Sequence, residues 1–124
     1  MTDVVDLAAK LARIAEPWSP RIVGELNGQQ VKLARLEGEF VWHHHAGEDE
    51  LFLVLEGRLD LHLREADGER VVSLGPGQFA IVPRGVEHKP VARPTAGVLL
   101  FEPAATLNTG NLRNDLTVDA PERL

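Results

Sequence analysis

The stretch GEFVWHHHAGEDELFLVLEG, residues 38–57, decides how this chain is read. Its second half has strand alternation. In Glu50–Glu56, Glu50, Phe52 and Val54 share one face, and Leu51, Leu53 and Leu55 the other. Both faces are apolar, so both must be covered. In a single domain one meets the core, and the other needs the N-terminal helix or a second subunit. A homodimer is therefore expected. The first half carries three adjacent histidines. Alternation along Phe40–His45 puts His43 and His45 on one side, and His44 on the other with Trp42 and Phe40. Two imidazoles on one face reach a single ion. Glu50 stands on a face that should be interior, where a lone carboxylate is costly unless an ion or a donor compensates it. Nitrogen and oxygen donors of this kind suit Fe, Mn, Co, Ni, Cu or Zn. On spacing alone, a solvated loop or strand end fits the histidine run about as well.

Working outward, Arg21–Leu26, Gln30–Leu36, Arg58–Arg64, Arg70–Leu74, Phe79–Val82 and Gly97–Phe101 also read as strands. Turn signals separate them: Asn27-Gly28, Glu37-Gly38, Glu56-Gly57, Asp67-Gly68 and Gly75-Pro76-Gly77. Many short strands at this interval predict an antiparallel sandwich or barrel. Before them, Val4, Leu7, Ala8, Leu11 and Ile14 fall at helical spacing. The expectation is a helix over about 3–15, capped by Thr2 or Asp3 and stopped by Pro17 and Pro20. The chain reads as one all-β domain, 1–124, with a short N-terminal α-helix, a barrel over about 21–102 and an extension over 103–124. The polar tail from Thr106, with Asn108, Asn111 and Asn114, is expected to be an ordered extension without a role of its own. Wrapping back on the barrel or a partner is the alternative.

Composition narrows the function. The chain has 124 residues and a net charge of −6, so a broad basic surface for nucleic acid or anionic lipid is not expected. Cysteine is absent, which excludes disulfides, thiolate metal sites and a cysteine nucleophile. Tyrosine is absent too, which excludes a phenolic acid or base. Asp3 and Asp6 stand where the basic start of a leader would be, and no apolar run approaches the roughly 18 residues of a membrane span. A cytoplasmic protein is expected. His62 alternates with Asp60 and Arg64, and so reads as part of a solvated face.

Residues 38–57 resemble the first signature of the cupin family: Gly, then His-x-His, a short gap, Glu, six residues and Gly. GQFAIVPRGVEH, residues 77–88, is similar to the second: Gly, five residues, Pro-x-Gly, two residues and His. The likeness covers about residues 30–102. It implies a double-stranded β-helix (jelly-roll, cupin barrel) holding one divalent transition metal (Fe, Mn, Ni, Co, Cu or Zn) on His43, His45, Glu50 and His88. Glu48 and Asp49 are rival carboxylates, but the six residues before Gly57 favour Glu50. There are two departures. One residue fewer separates Gly38 from His43, which touches only the turn. Ala92 stands where Asn is frequent, but that Asn is not a ligand.

Four ligands leave about two positions open on a six-coordinate ion, as catalysis needs. The surrounding mouth is expected to be apolar, lined by Val41, Phe52, Val54, Phe79, Ile81 and Leu100, with Arg84 as an anion anchor or simply a solvated arginine. The resemblance implies a metal-dependent enzyme on a small organic molecule, of dioxygenase, isomerase or cyclase type. The alternative is a non-catalytic module that binds or senses a small molecule or metal. A cupin sugar epimerase is excluded, because its His base works with a Tyr acid. No segment is left for a helix-turn-helix. Among small cupins the likeness is to the mannose-6-phosphate isomerase-like type. That substrate is not carried over, because only Arg84, Lys89 and Arg93 stand near the second motif.

Overall fold

The structure, a computed structural model, describes residues 2–124. Helix α1 spans Leu7–Ala12, shorter than expected. Its cap is Asp6, not Thr2 or Asp3: the Asp6 carboxylate accepts from Ala9 N–H at 3.1 Å. At the other end Arg35 donates to the carbonyls of Ile14 at 2.6 Å and Leu11 at 2.9 Å. A cation thus meets carbonyls at the C-terminal end of the helix and ties the helix to the barrel.

The strands are β1 (Arg21–Leu26), β2 (Gln29–Glu39), β3 (Glu50–Glu65), β4 (Gly68–Leu74), β5 (Phe79–Val82), β6 (Glu87–Pro103) and β7 (Glu122–Arg123). They form one sheet in the order β4-β3-β6-β2-β1-β7, with β5 paired to β3. Pairing is antiparallel throughout, except for the short parallel contact of β1 with β7. The all-β jelly-roll expectation is met.

Two expected strands, Leu51–Glu56 and Arg58–Arg64, are one long strand, β3. Its register against β6 slips between Val54 and Glu56 and again between Gly57 and Leu59. The slips exchange the two faces. Before them the buried side chains are Glu50, Phe52 and Val54; after them they are Leu59, Leu61 and Leu63. Gly57 makes the bend possible. Its φ is +78°, and a Cβ there would stand 2.2 Å from the Thr95 carbonyl oxygen.

The main core gathers Ala34, Leu36, Phe52, Val54, Leu59, Leu61, Val98 and Leu100 between the curled halves of the sheet. A second cluster lies outside. Leu11 and Ile14 pack on Leu33, with Leu55 and Leu99 beside them. The helix therefore covers part of the outer leucine face, as one of the two expectations required. It leaves Phe79 and Ile81 more than half exposed. Among the described residues, no helix is long and apolar enough to cross a membrane.

Candidate metal centre

Phe40–His45 is not a regular strand. Only His43 forms a bridge, opposite His88: His43 N–H donates to His88 O at 3.0 Å, and His88 N–H donates to His43 O at 2.8 Å. Phe40 N–H donates to Pro90 O, and Gly85 N–H to His45 O. The histidine loop is thus pinned beside the start of β6. Glu50 opens β3, paired with Val82. These cross-strand ties bring residues far apart in sequence to one point.

His43, His45, Glu50 and His88 each offer a ligand atom, and these atoms lie within 4.8 Å of one another. All four side chains are buried. His43 Nδ1 lies 2.9 Å from Val41 O, and His88 Nδ1 lies 2.9 Å from Val86 O. Each Nδ1–H donates to its carbonyl, which leaves Nε2 as the free lone pair on both rings. Glu50 Oε1 stands 3.3 Å from His45 Nε2 and 3.4 Å from His88 Nε2. None of these three buried atoms has a hydrogen-bond partner. Orphaned buried polar atoms are expensive in a folded protein. A divalent cation at their centre would satisfy all of them, so the donor set fits the metal that the sequence motifs imply.

The electrostatics agree. Burial, and then the neighbouring His88, push His43 down to about 4, so it stays neutral and able to ligate. Burial opposes the charge on Glu50. The polar neighbours Glu102, His45 and His88 nevertheless hold its carboxyl well below the usual range. Behind Glu50 lies a second layer absent from the expected site. Glu102, on β6, is pushed well above the usual range by burial and by the charge of Glu50, against the pull of Lys32. Lys32 Nζ sits 2.9 Å from Glu102 Oε1, with both side chains buried. A signal for this pair was present. Lys32 and Glu102 interrupt otherwise apolar inner faces, in step with Ala34 and Leu36 on β2 and with Val98 and Leu100 on β6.

A small cleft opens from His43 and Glu50, and Trp18, Phe40, Phe52 and Leu100 line its apolar walls. Phe52 and Leu100 are among its lining residues. Val54 is fully buried in the core instead, and Val41 does not line the cleft. Phe79 and Ile81 are corrected outright. Antiparallel pairing sets Ile81 opposite Leu51 and Phe79 opposite Leu53, on the outer face, so Ala80 and Val82 point inward. Arg84 is also outside the cleft. It is an exposed surface residue whose guanidinium and N–H both engage Asp49. That pairing removes Asp49 as a rival ligand, and Glu48 lies outside the cluster.

Strand alternation predicts Phe40 on the opposite side from His43. With no regular strand to enforce alternation, it faces the cleft and meets the His43 ring edge-on at 5.4 Å. Trp18 stacks on Phe40 at 4.5 Å, its indole N–H donating to Glu37 O. Trp18 lies between helix and barrel with a φ of +60°, where no periodicity announces it. His62 is half-buried beneath Trp42, not solvated.

The cupin domain family matches residues 29–101, and the chain belongs to that family. It is 35% identical over 89 residues to the uncharacterized protein YdbB of Bacillus subtilis (strain 168), covering 72% of this chain and 76% of that one. Among solved structures, a cupin-2 domain containing protein from Shewanella frigidimarina NCIMB 400 is 40% identical, with a TM-score of 0.75 over 81% of this chain and 94% of that one. Hydroquinone 1,2-dioxygenase from Sphingomonas sp. TTNP3, solved with 4-hydroxybenzoate bound, is 20% identical, with a TM-score of 0.67 over 82% of this chain and 80% of that one. This last likeness is one of fold.

Proposed function

We propose that His43, His45, Glu50 and His88 hold one divalent transition metal, and that the chain is a metal-dependent enzyme acting on a small organic molecule bound in the adjoining cleft. One observation carries this reading. Three orphaned donor atoms, His45 Nε2, Glu50 Oε1 and His88 Nε2, converge at the head of an apolar cleft. Once bound, the metal would supply Lewis acidity and open coordination positions. The protein's own contribution is positional. The Val41 and Val86 carbonyls fix the tautomers of His43 and His88. Trp18, Phe40 and Phe52 exclude water and offer flat apolar surfaces to a ring. The cleft walls hold no Lys or Arg, which weighs against a phosphorylated sugar and for an uncharged or weakly polar ring. Dioxygenase, isomerase and cyclase chemistries all suit such a site. The runner-up is a module that binds the same metal and ligand without turnover.

Elemental analysis of the purified wild type and His88→Ala tests the metal. The wild type should carry about one equivalent and the variant almost none. Stoichiometric metal in His88→Ala would overturn the ligand set. Oxygen uptake by the Fe(II)-loaded protein against a panel of phenols then separates the readings. Full metal occupancy with no uptake overturns the dioxygenase assignment and moves the reading to non-oxidative chemistry or to the binding module.

We further propose that a second copy covers the outer sheet face. Ile81, Leu51 and Phe101 form one cross-strand row, and Phe79, Leu53 and Leu99 the next, with no charge in either. Helix α1 shields only the Leu99 and Leu55 side. The N-terminal arm before it also exposes Val4 almost completely. An uncharged apolar face can meet a copy of itself without opposing like charges, which suits a two-fold pair.

A further inference from the structure

After Pro103 the chain turns back across the barrel, and residues 106–118 lie along the histidine loop. Two hydrogen bonds join them to the middle histidine. Asn111 N–H donates to His44 O at 3.0 Å, and His44 N–H donates to Asn111 Oδ1 at 2.9 Å. Contact is equally close one residue earlier. A Cβ on Gly110, whose φ is +58°, would stand 2.3 Å from His44 O and 2.9 Å from His43 Cδ2.

The segment is laced to itself. Asn108 Oδ1 accepts from Val118 N–H at 2.9 Å, while its Nδ2 donates to Leu116 O at 2.8 Å. Thr109, fully buried, meets Thr117 Oγ1 at 2.8 Å and donates to Leu112 O at 2.7 Å. Asn114 Oδ1 accepts from Leu116 N–H at 2.8 Å. Such a segment keeps its shape and can transmit it. It also stands between two clefts. Asn108 lines the apolar one, and Gly110 and Asn111 line another beside His45.

His43 and His45 sit on backbone with little ladder to orient it. One bridge to His88 and one bond from Gly85 hold it on the barrel side. The strap binds the peptide of His44, midway between the two ligands. Rotating that peptide would turn both imidazoles away from the centre. We infer that residues 106–118 are a positioning strap that keeps His43 and His45 aimed at the cluster, with Asn111 as the positioning residue. This rests on the metal-site reading above.

The test is Co(II) titration of the metal-free wild type, Asn111→Ala, Asn111→Asp and Gly110→Ala, followed by visible absorption. Residues that orient metal ligands typically change affinity about 10- to 100-fold. Asn111→Ala and Gly110→Ala should each weaken Co(II) binding about tenfold or more and alter the Co(II) spectrum. Metal-free melting of Asn111→Ala should stay within a few degrees of wild type. Asn111→Asp keeps the acceptor for His44 N–H and should restore the wild-type spectrum. Equal affinity and spectrum in wild type and Asn111→Ala would overturn the strap and leave the metal site standing. Loss of the metal-free fold in Asn111→Ala would overturn it too, making the segment general scaffold. A wild type that binds no Co(II) would overturn the metal site and the strap's role with it.

Discussion

His43 shows how one side chain's surroundings set the conditions under which the site exists. Its imidazole is driven down from 6.5 to about 4, by burial first and by His88 second. Between these values the unfolded chain binds a proton that the folded chain refuses, so stability rises with pH across this window. The metal-free protein should be at full strength above pH 6.5. As the pH falls toward 4 it should lose up to about 3 kcal/mol from this residue. Urea unfolding at pH 7, 5.5 and 4.5 checks it. A flat profile would show His43 solvated in the metal-free fold. At this scale the sequence was most legible. His43, His45, Glu50 and His88 are residue types with few other reasons to share an apolar interior, and motif spacing names them. Trp18 and Phe40 were not legible. Their direction depends on irregular backbone, where side-chain parity has no authority.

Alternation read along a single strand holds only until the register slips, and β3 slips twice around Gly57. The leucines at 59, 61 and 63 therefore belong to the same interior as Phe52 and Val54, and two expected strands are one bent strand. Phe79 and Ile81 failed for a related reason. Their parity was assigned without the partner strand that fixes it. Pairing with the outward Leu51 and Leu53 decides the matter, and pairing is not written in a four-residue segment. The bend itself makes a sharp prediction. Gly57→Ala asks a side chain to adopt a φ of +78° and to place Cβ 2.2 Å from a backbone oxygen that cannot rotate away. Left-handed backbone alone costs about 1–2 kcal/mol for an L-residue. The clash adds to that, so a loss of about 3 kcal/mol or more is expected. Equilibrium denaturation of the metal-free protein measures it. A loss below about 1 kcal/mol would mean that the two halves of β3 separate easily at the bend.

At the scale of the whole molecule, the order of motifs along the chain foretold the barrel, and two apolar faces on one strand foretold that something must lie outside it. The helix proves to be half of that covering. What stays bare is the β5 margin of an uncharged pair of cross-strand rows, where Phe79 and Ile81 are exposed. An apolar sheet face beside a short edge strand favours association. A second copy places the same rows against themselves. Light scattering on the eluting protein should then give about twice the 13.6 kDa of one chain. A single charge set into the rows would be buried without a partner in the pair, but solvated in the free chain. Ile81→Lys should therefore shift the protein to one chain's mass while leaving its fold and Co(II) spectrum intact, because Ile81 faces away from the cluster. A wild type that elutes at one chain's mass over the micromolar range, or an Ile81→Lys variant that still pairs, would remove the second copy from this face.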